Sequence, residues 1–74
     1  MQITVKLFAT FREGRFSVEN WEVKSPYRVG QVVAALRLPV EKLGVLLVNG
    51  RHVGLEHLLK EKDVCAVFPQ IGGG

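Results

Sequence analysis

Apolar and polar residues trade places at every step from Ile3 to Leu7. Ile3, Val5 and Leu7 fall on one side of an extended chain, and Thr4, Lys6 and Phe8 fall on the other. That period of two, rich in β-branched residues, predicts a strand with one buried face. With Leu7 facing a core, alternation turns Phe8 away from it. Phe11 to Arg15 reads as a turn in which Gly14 takes a positive φ. The strand pattern resumes at Phe16 and Val18 and again at Trp21 and Val23. It slips by one position near Glu19-Asn20, which predicts a bulge or bend in a second, antiparallel strand.

Ser25-Pro26 breaks this strand, because proline disfavours helical geometry in the residue before it. Val29, Val32, Val33 and Leu36 then follow helical spacing, which predicts a helix of about nine residues ended by Pro39. Its valines and Gly30 are poor helix formers, so packing against a sheet must hold it. Val45 to Val48 is an unbroken apolar run and predicts a central strand covered on both faces. Asn49-Gly50 marks a tight hairpin, since both central residues of a type I′ turn need positive φ. Arg51 to Val53 is the short returning strand. Leu55, Leu58 and Leu59 are spaced for one turn of helix. Lys60 to Asp63 forms a charged turn, and Val64 to Phe68 is the last strand, stopped by Pro69, which has no N–H to give to a ladder.

The predicted order is β-β-α-β-β-β. It describes an α+β domain with a mixed sheet of four to five strands and one main helix across one face. The first and last strands are expected to pair in parallel at the sheet centre, bringing Val5 near Ala66. The domain spans residues 1–69, and residues 70–74 are expected to form a flexible tail.

Composition narrows the function. The chain has 74 residues, 47% of them hydrophobic and 23% charged, which is one small folded domain near the size where a core is only just sufficient. One cysteine, Cys65, leaves no intramolecular disulfide and no cysteine-rich metal site. The net charge of +3 is scattered from Lys6 to Lys62 with no basic run, so nucleic-acid binding is not expected. The longest apolar run, Val45 to Val48, is far too short to cross a bilayer and no apolar leader precedes the first strand. A cytoplasmic protein without membrane attachment is expected.

The body offers no catalytic constellation. Cys65 sits mid-strand among Val64, Ala66 and Val67 and reads as a small buried hydrophobe. His52 and His57 lie five apart across Gly54 and share no helix face, so no metal site is expected. No glycine-rich phosphate loop occurs. The distinctive feature is the stretch Phe68-Pro69-Gln70-Ile71-Gly72-Gly73-Gly74. Three glycines present no Cβ to a narrow channel, and the five residues after Pro69 reach roughly 17 Å when extended. The candidate reacting group is the C-terminal carboxylate of Gly74. Gly72, Gly73 and Ile71 are the residues a partner's channel would hold, and Phe8, Phe68 and Pro69 are the expected partner-facing patch beside the tail.

Several segments together resemble a known family. Phe8-Ala9-Thr10-Phe11-Arg12-Glu13, the helix start Val29-Gly30-Gln31-Val32-Val33, Val48-Asn49-Gly50, the stretch from Asp63 through Phe68-Pro69, and the terminal Gly73-Gly74 are similar to the ubiquitin-like sulfur carriers of the MoaD/ThiS type. The molybdopterin synthase small subunits are the nearest match. Gln70 and Gly72 stand where those subunits usually carry a second proline and an alanine, and a triple glycine also ends thiamine-pathway carriers. The resemblance implies a β-grasp fold and a protein that is not itself an enzyme and has no cofactor of its own. It implies adenylation of Gly74 by a ubiquitin-activating-type adenylyltransferase (MoeB/ThiF-like) and conversion to a thiocarboxylate. Sulfur would then pass to an acceptor such as the molybdopterin synthase large subunit. The alternatives it leaves are the thiamine or another sulfur pathway, or amide conjugation to lysine as a protein modifier.

Overall fold

The structure is a computed structural model and describes residues 1–70. Its strands are β1 (Gln2–Leu7), β2 (Val18–Glu22), β3 (Leu43–Val48), β4 (Arg51–His52) and β5 (Val64–Pro69), and its helix is α1 (Val29–Ala35). Among the described residues they form a five-stranded sheet in the order β2-β1-β5-β3-β4 with α1 across one face. The element order is the expected one.

β1 and β5 pair in parallel at the centre, as expected, with Val5 opposite Cys65 and Lys6 opposite Ala66. Val5 therefore lies near Ala66, as expected, with Cys65 as its direct partner. Side chains directly opposite share a face, so a buried Val5 needs the buried Cys65 across from it. Ile3, Val5 and Leu7 from β1, Cys65 and Val67 from β5, and Val29, Val32 and Val33 from α1 make the heart of the core.

α1 is short, but its ends are held. The Gln31 side chain accepts a 2.8 Å hydrogen bond from the Arg28 N–H, which occupies a backbone donor before the first turn. Arg37 closes the helix with φ +56°. Its N–H reaches the Ala34 carbonyl at 3.0 Å, and the Leu38 N–H reaches the Val33 carbonyl at 3.2 Å. That crossed pair is the Schellman ending, which stops the helix before Pro39 and drops Leu38 into the core.

The Asn49-Gly50 turn is as its sequence demands, with φ of +52° and +83°. Three other expectations are corrected. β2 pairs with β1 without a bulge, from Gln2 opposite Glu22 through to Lys6 opposite Val18. The apparent slip arises because Val18 lies on an uncovered face, 58% exposed, while Trp21 sits opposite core-facing Ile3 and meets the Phe16 ring edge-on at 6.3 Å. β3 is not covered on both faces. It lies beside β5 toward the sheet edge, and Val45 is 37% exposed. Finally, Leu55 to Leu59 forms no helical turn. Its carbonyls are taken by the start of α1: Val29 N–H donates to His57 O at 3.0 Å and Gly30 N–H to Leu55 O at 2.8 Å, while Leu59 N–H donates to Tyr27 O at 2.8 Å. Donors orphaned at a helix start are satisfied by this crossing segment, which makes a turn closed by His57 N–H on Gly54 O at 3.2 Å and does not continue into a helix.

Among the described residues no helix is long and apolar enough to cross a membrane.

Candidate functional site

β5 carries the chain from the core to its exit. Asp63 anchors the strand's beginning and is only 8% exposed. Its carboxylate accepts from Asn49 Nδ2 and from the Lys60 N–H, both at 2.8 Å, and Asn49 Oδ1 accepts from the Val64 N–H at 2.9 Å. A buried carboxylate needs such donors. This closed set ties the β3–β4 hairpin to the start of β5. Asp63 carries no chemical signal in the sequence, where an acid before a strand reads equally well as part of a solvated turn.

Five residues further along, the surface is apolar. Pro69 is buried opposite Leu43. Phe68 alternates to the face away from α1 and stacks on Phe8, with ring centroids 4.1 Å apart and planes 9° from parallel. Phe8 reaches this face because the chain is still extended where it leaves β1, at φ −129° and ψ 154°, so it points opposite to buried Leu7. Beside the pair, Val45, Leu47, Phe68 and Pro69 line a shallow cleft of about 140 Å³. The structure thus brings Phe8 and Phe68 together and adds Val45 and Leu47, whereas Pro69, expected on the same patch, alternates to the buried side of β5 and only borders the cleft. The sequence makes these two covered core residues, because a continuous apolar run carries no signal that one face is open. Ile71, Gly72, Gly73 and Gly74 lie outside the described residues.

The remaining chemistry of the body is inert. Cys65 is fully buried, and burial, with a smaller contribution from the negative charge of Asp63, pushes its thiol up to about 11. It stays protonated at neutral pH, and the thiol is a far weaker nucleophile than the thiolate. Among the described residues no three His, Cys, Asp or Glu side chains gather to hold a metal ion. A larger cleft of about 680 Å³, lined in part by Arg51, His52, His57 and Lys60, opens beside Asp63 at the start of β5, the end remote from the exit.

Comparison with known proteins places this arrangement. A family model described as the ThiS family matches residues 5–74. No curated protein matches the chain. Among solved structures, SAMP1 from Haloferax volcanii is 26% identical over 100% of both chains, with a TM-score of 0.76. A candidate molybdopterin converting factor, subunit 1, from Pyrococcus furiosus is 29% identical, covering 96% of this chain and 99% of that one, with a TM-score of 0.76. The complex of subunits 1 and 2 of molybdopterin-converting factor from Helicobacter pylori contains a chain 22% identical over 100% of both, with a TM-score of 0.63, a likeness of fold. The fold is the ubiquitin-like β-grasp.

Proposed function

The chain belongs to the ThiS family, and on that premise we propose that it is a sulfur carrier whose Gly74 carboxylate becomes a thiocarboxylate that serves molybdopterin synthesis. The observation that carries this reading is the exit of β5. The strand leaves the core directly beside an apolar face built from Phe8, Phe68, Val45 and Leu47. A partner gripping that face would receive the residues that follow. Small carriers of this family are not themselves enzymes, and the catalysis is assigned to the partners.

The chemistry runs in two steps. A Gly74 carboxylate oxygen attacks the α-phosphate of ATP, releasing pyrophosphate and leaving an acyl-adenylate. A sulfide-level sulfur nucleophile then attacks the acyl carbon, AMP departs, and the thiocarboxylate remains. An adenylyltransferase of the ubiquitin-activating type supplies the first step, and an acceptor such as the molybdopterin synthase large subunit takes the sulfur. Gly72 and Gly73 give access to a narrow channel, and Ile71 is held at its mouth. The similarity to the Pyrococcus protein supports the molybdopterin pathway over the thiamine pathway.

A second reading is favoured by the similarity to SAMP1, which is named a small archaeal modifier protein. Here the same adenylate is attacked by a lysine amine. The two separate on their product. Incubated with ATP, a sulfide source and the cognate activating enzyme, the full chain gains the mass difference between sulfur and oxygen, and a chain lacking Gly73 and Gly74 does not. A lysine conjugate in place of that gain would establish the modifier reading, and loading of the truncated chain would refute both.

A further inference from the structure

We propose that Gly44 is a positioning residue for the chain exit: the space left by its missing side chain lets the Pro69–Gln70 backbone lie against β3 and fixes where the reacting segment begins. The functional half of this inference rests on the carrier reading, and the structural half does not.

A Cβ placed on Gly44 would stand 2.6 Å from the Pro69 carbonyl oxygen, 2.7 Å from its carbon and 2.9 Å from the Gln70 nitrogen. All three are backbone atoms, so no rotamer change relieves the overlap. Either β3 or the Pro69–Gln70 peptide must move. The requirement here is for space at a close backbone approach, a recognised use of glycine in strands.

The pairing around Gly44 shows what the approach achieves. Leu43 lies opposite Pro69 and Leu46 lies opposite Val67, with an irregular register between them. Gly44 and Val45 together therefore face the single residue Phe68. A bulge of this kind bends the strand and re-aims side chains. It keeps Leu43 and Leu46 on the core side of the sheet while giving Val45 to the open face, where it lines the cleft with Phe68. Pro69 has no N–H, so Gln70 is the next residue that can bond to this edge. Its N–H donates to the Lys42 carbonyl at 2.9 Å. One glycine thus joins the anchored exit to the exposed apolar face.

Counting from Gln70 sets the partner's geometry. The four residues after it span at most about 14 Å when drawn out. The activating partner must then place its nucleotide within that distance of Gln70 while resting on the Phe68 face. A loosened exit would let the carboxylate miss the nucleotide although the body still docks.

The test uses the full chain. In the wild type, the Gln70 amide should exchange with solvent at least about tenfold more slowly than an unstructured amide, and exchange at the unstructured rate would overturn the clamp without any variant. Gly44→Ala should release Gln70 while the amides shared by β1 and β5 keep their protection. It should also lower kcat for sulfur loading about tenfold with little change in KM, because docking survives and alignment is lost. Val33→Ala, a core change away from the exit, serves as the control for stability alone and should load normally. Unchanged Gln70 protection in Gly44→Ala, or loading equal to the wild type, contradicts the proposal. A wild-type chain that accepts no sulfur refutes the carrier reading, while the Gln70 exchange still decides the clamp.

Discussion

Cys65, Val67 and Pro69 point from β5 into the core, while Val64, Ala66 and Phe68 point from the same strand to a face that no other described element covers. The two sets alternate along six residues, so a single backbone serves both. On the first face burial is complete and the chemistry is silent. On the second, half-buried aromatic and aliphatic groups sit beside the chain exit. On the proposed reading, the period of the strand separates stability from recognition. Substitutions on the two faces should therefore fail in different ways.

The largest contrast comes from the neighbours Leu7 and Phe8 at the end of β1. Leu7 is 1% exposed on the core face, and Leu7→Ala should cost about 2–5 kcal/mol in urea denaturation. Phe8, the next residue, should cost much less when changed to Ala. If the Phe8 substitution proves as damaging as that of Leu7, the open face is part of the core and the division is wrong.

A smaller effect sharpens the description of the buried face. The folded chain holds the Cys65 proton to about pH 11, whereas an unburied thiol loses it near 9.0. Between those values the folded state binds the extra proton, so this contribution is fully present below pH 9 and is lost as pH rises toward 11. The total loss is roughly 2–3 kcal/mol. Comparing wild type with Cys65→Ala between pH 8 and pH 11 isolates it, because the gap between the two should shrink as pH rises. A constant gap would show that the thiol is not shielded.

The smallest stability effect belongs to the open face. A double-mutant cycle on Phe8 and Phe68 should give a coupling of about 0.5–1.5 kcal/mol, the range for a stacked aromatic pair. Phe68→Ala should nevertheless weaken partner affinity far more than it lowers the melting temperature. Unchanged affinity with a large drop in melting would assign Phe68 to packing alone.

These faces were legible in the sequence to different degrees. The alternation of Ile3, Val5 and Leu7 is local and strong, so β1, its buried side and the outward turn of Phe8 follow from it. Asn49-Gly50 specifies its own turn. The run from Val45 to Val48 misleads because its cover depends on how many helices the chain can supply, and α1 reaches one face only. Leu55 to Leu59 has helical spacing, but its backbone serves as a partner to the start of α1, a long-range demand that spacing does not record. Gly44 carried no signal at all. Its role depends on the close approach of the Pro69–Gln70 backbone, 25 positions along the chain. The outward side of Phe8 and Phe68 was legible from alternation, whereas Pro69, expected beside them, falls on the buried side of β5. Their stacking, and the addition of Val45 and Leu47, required the register.

The central claim is that the open face delivers a C-terminal carboxylate that accepts sulfur. The most direct test is fragmentation mass spectrometry of the chain after loading, which locates the added sulfur along the sequence. The account predicts the sulfur-for-oxygen mass difference in the fragment that contains Gly74 and an unchanged fragment that contains Cys65. Sulfur found on Cys65, with Gly74 unmodified, would contradict it.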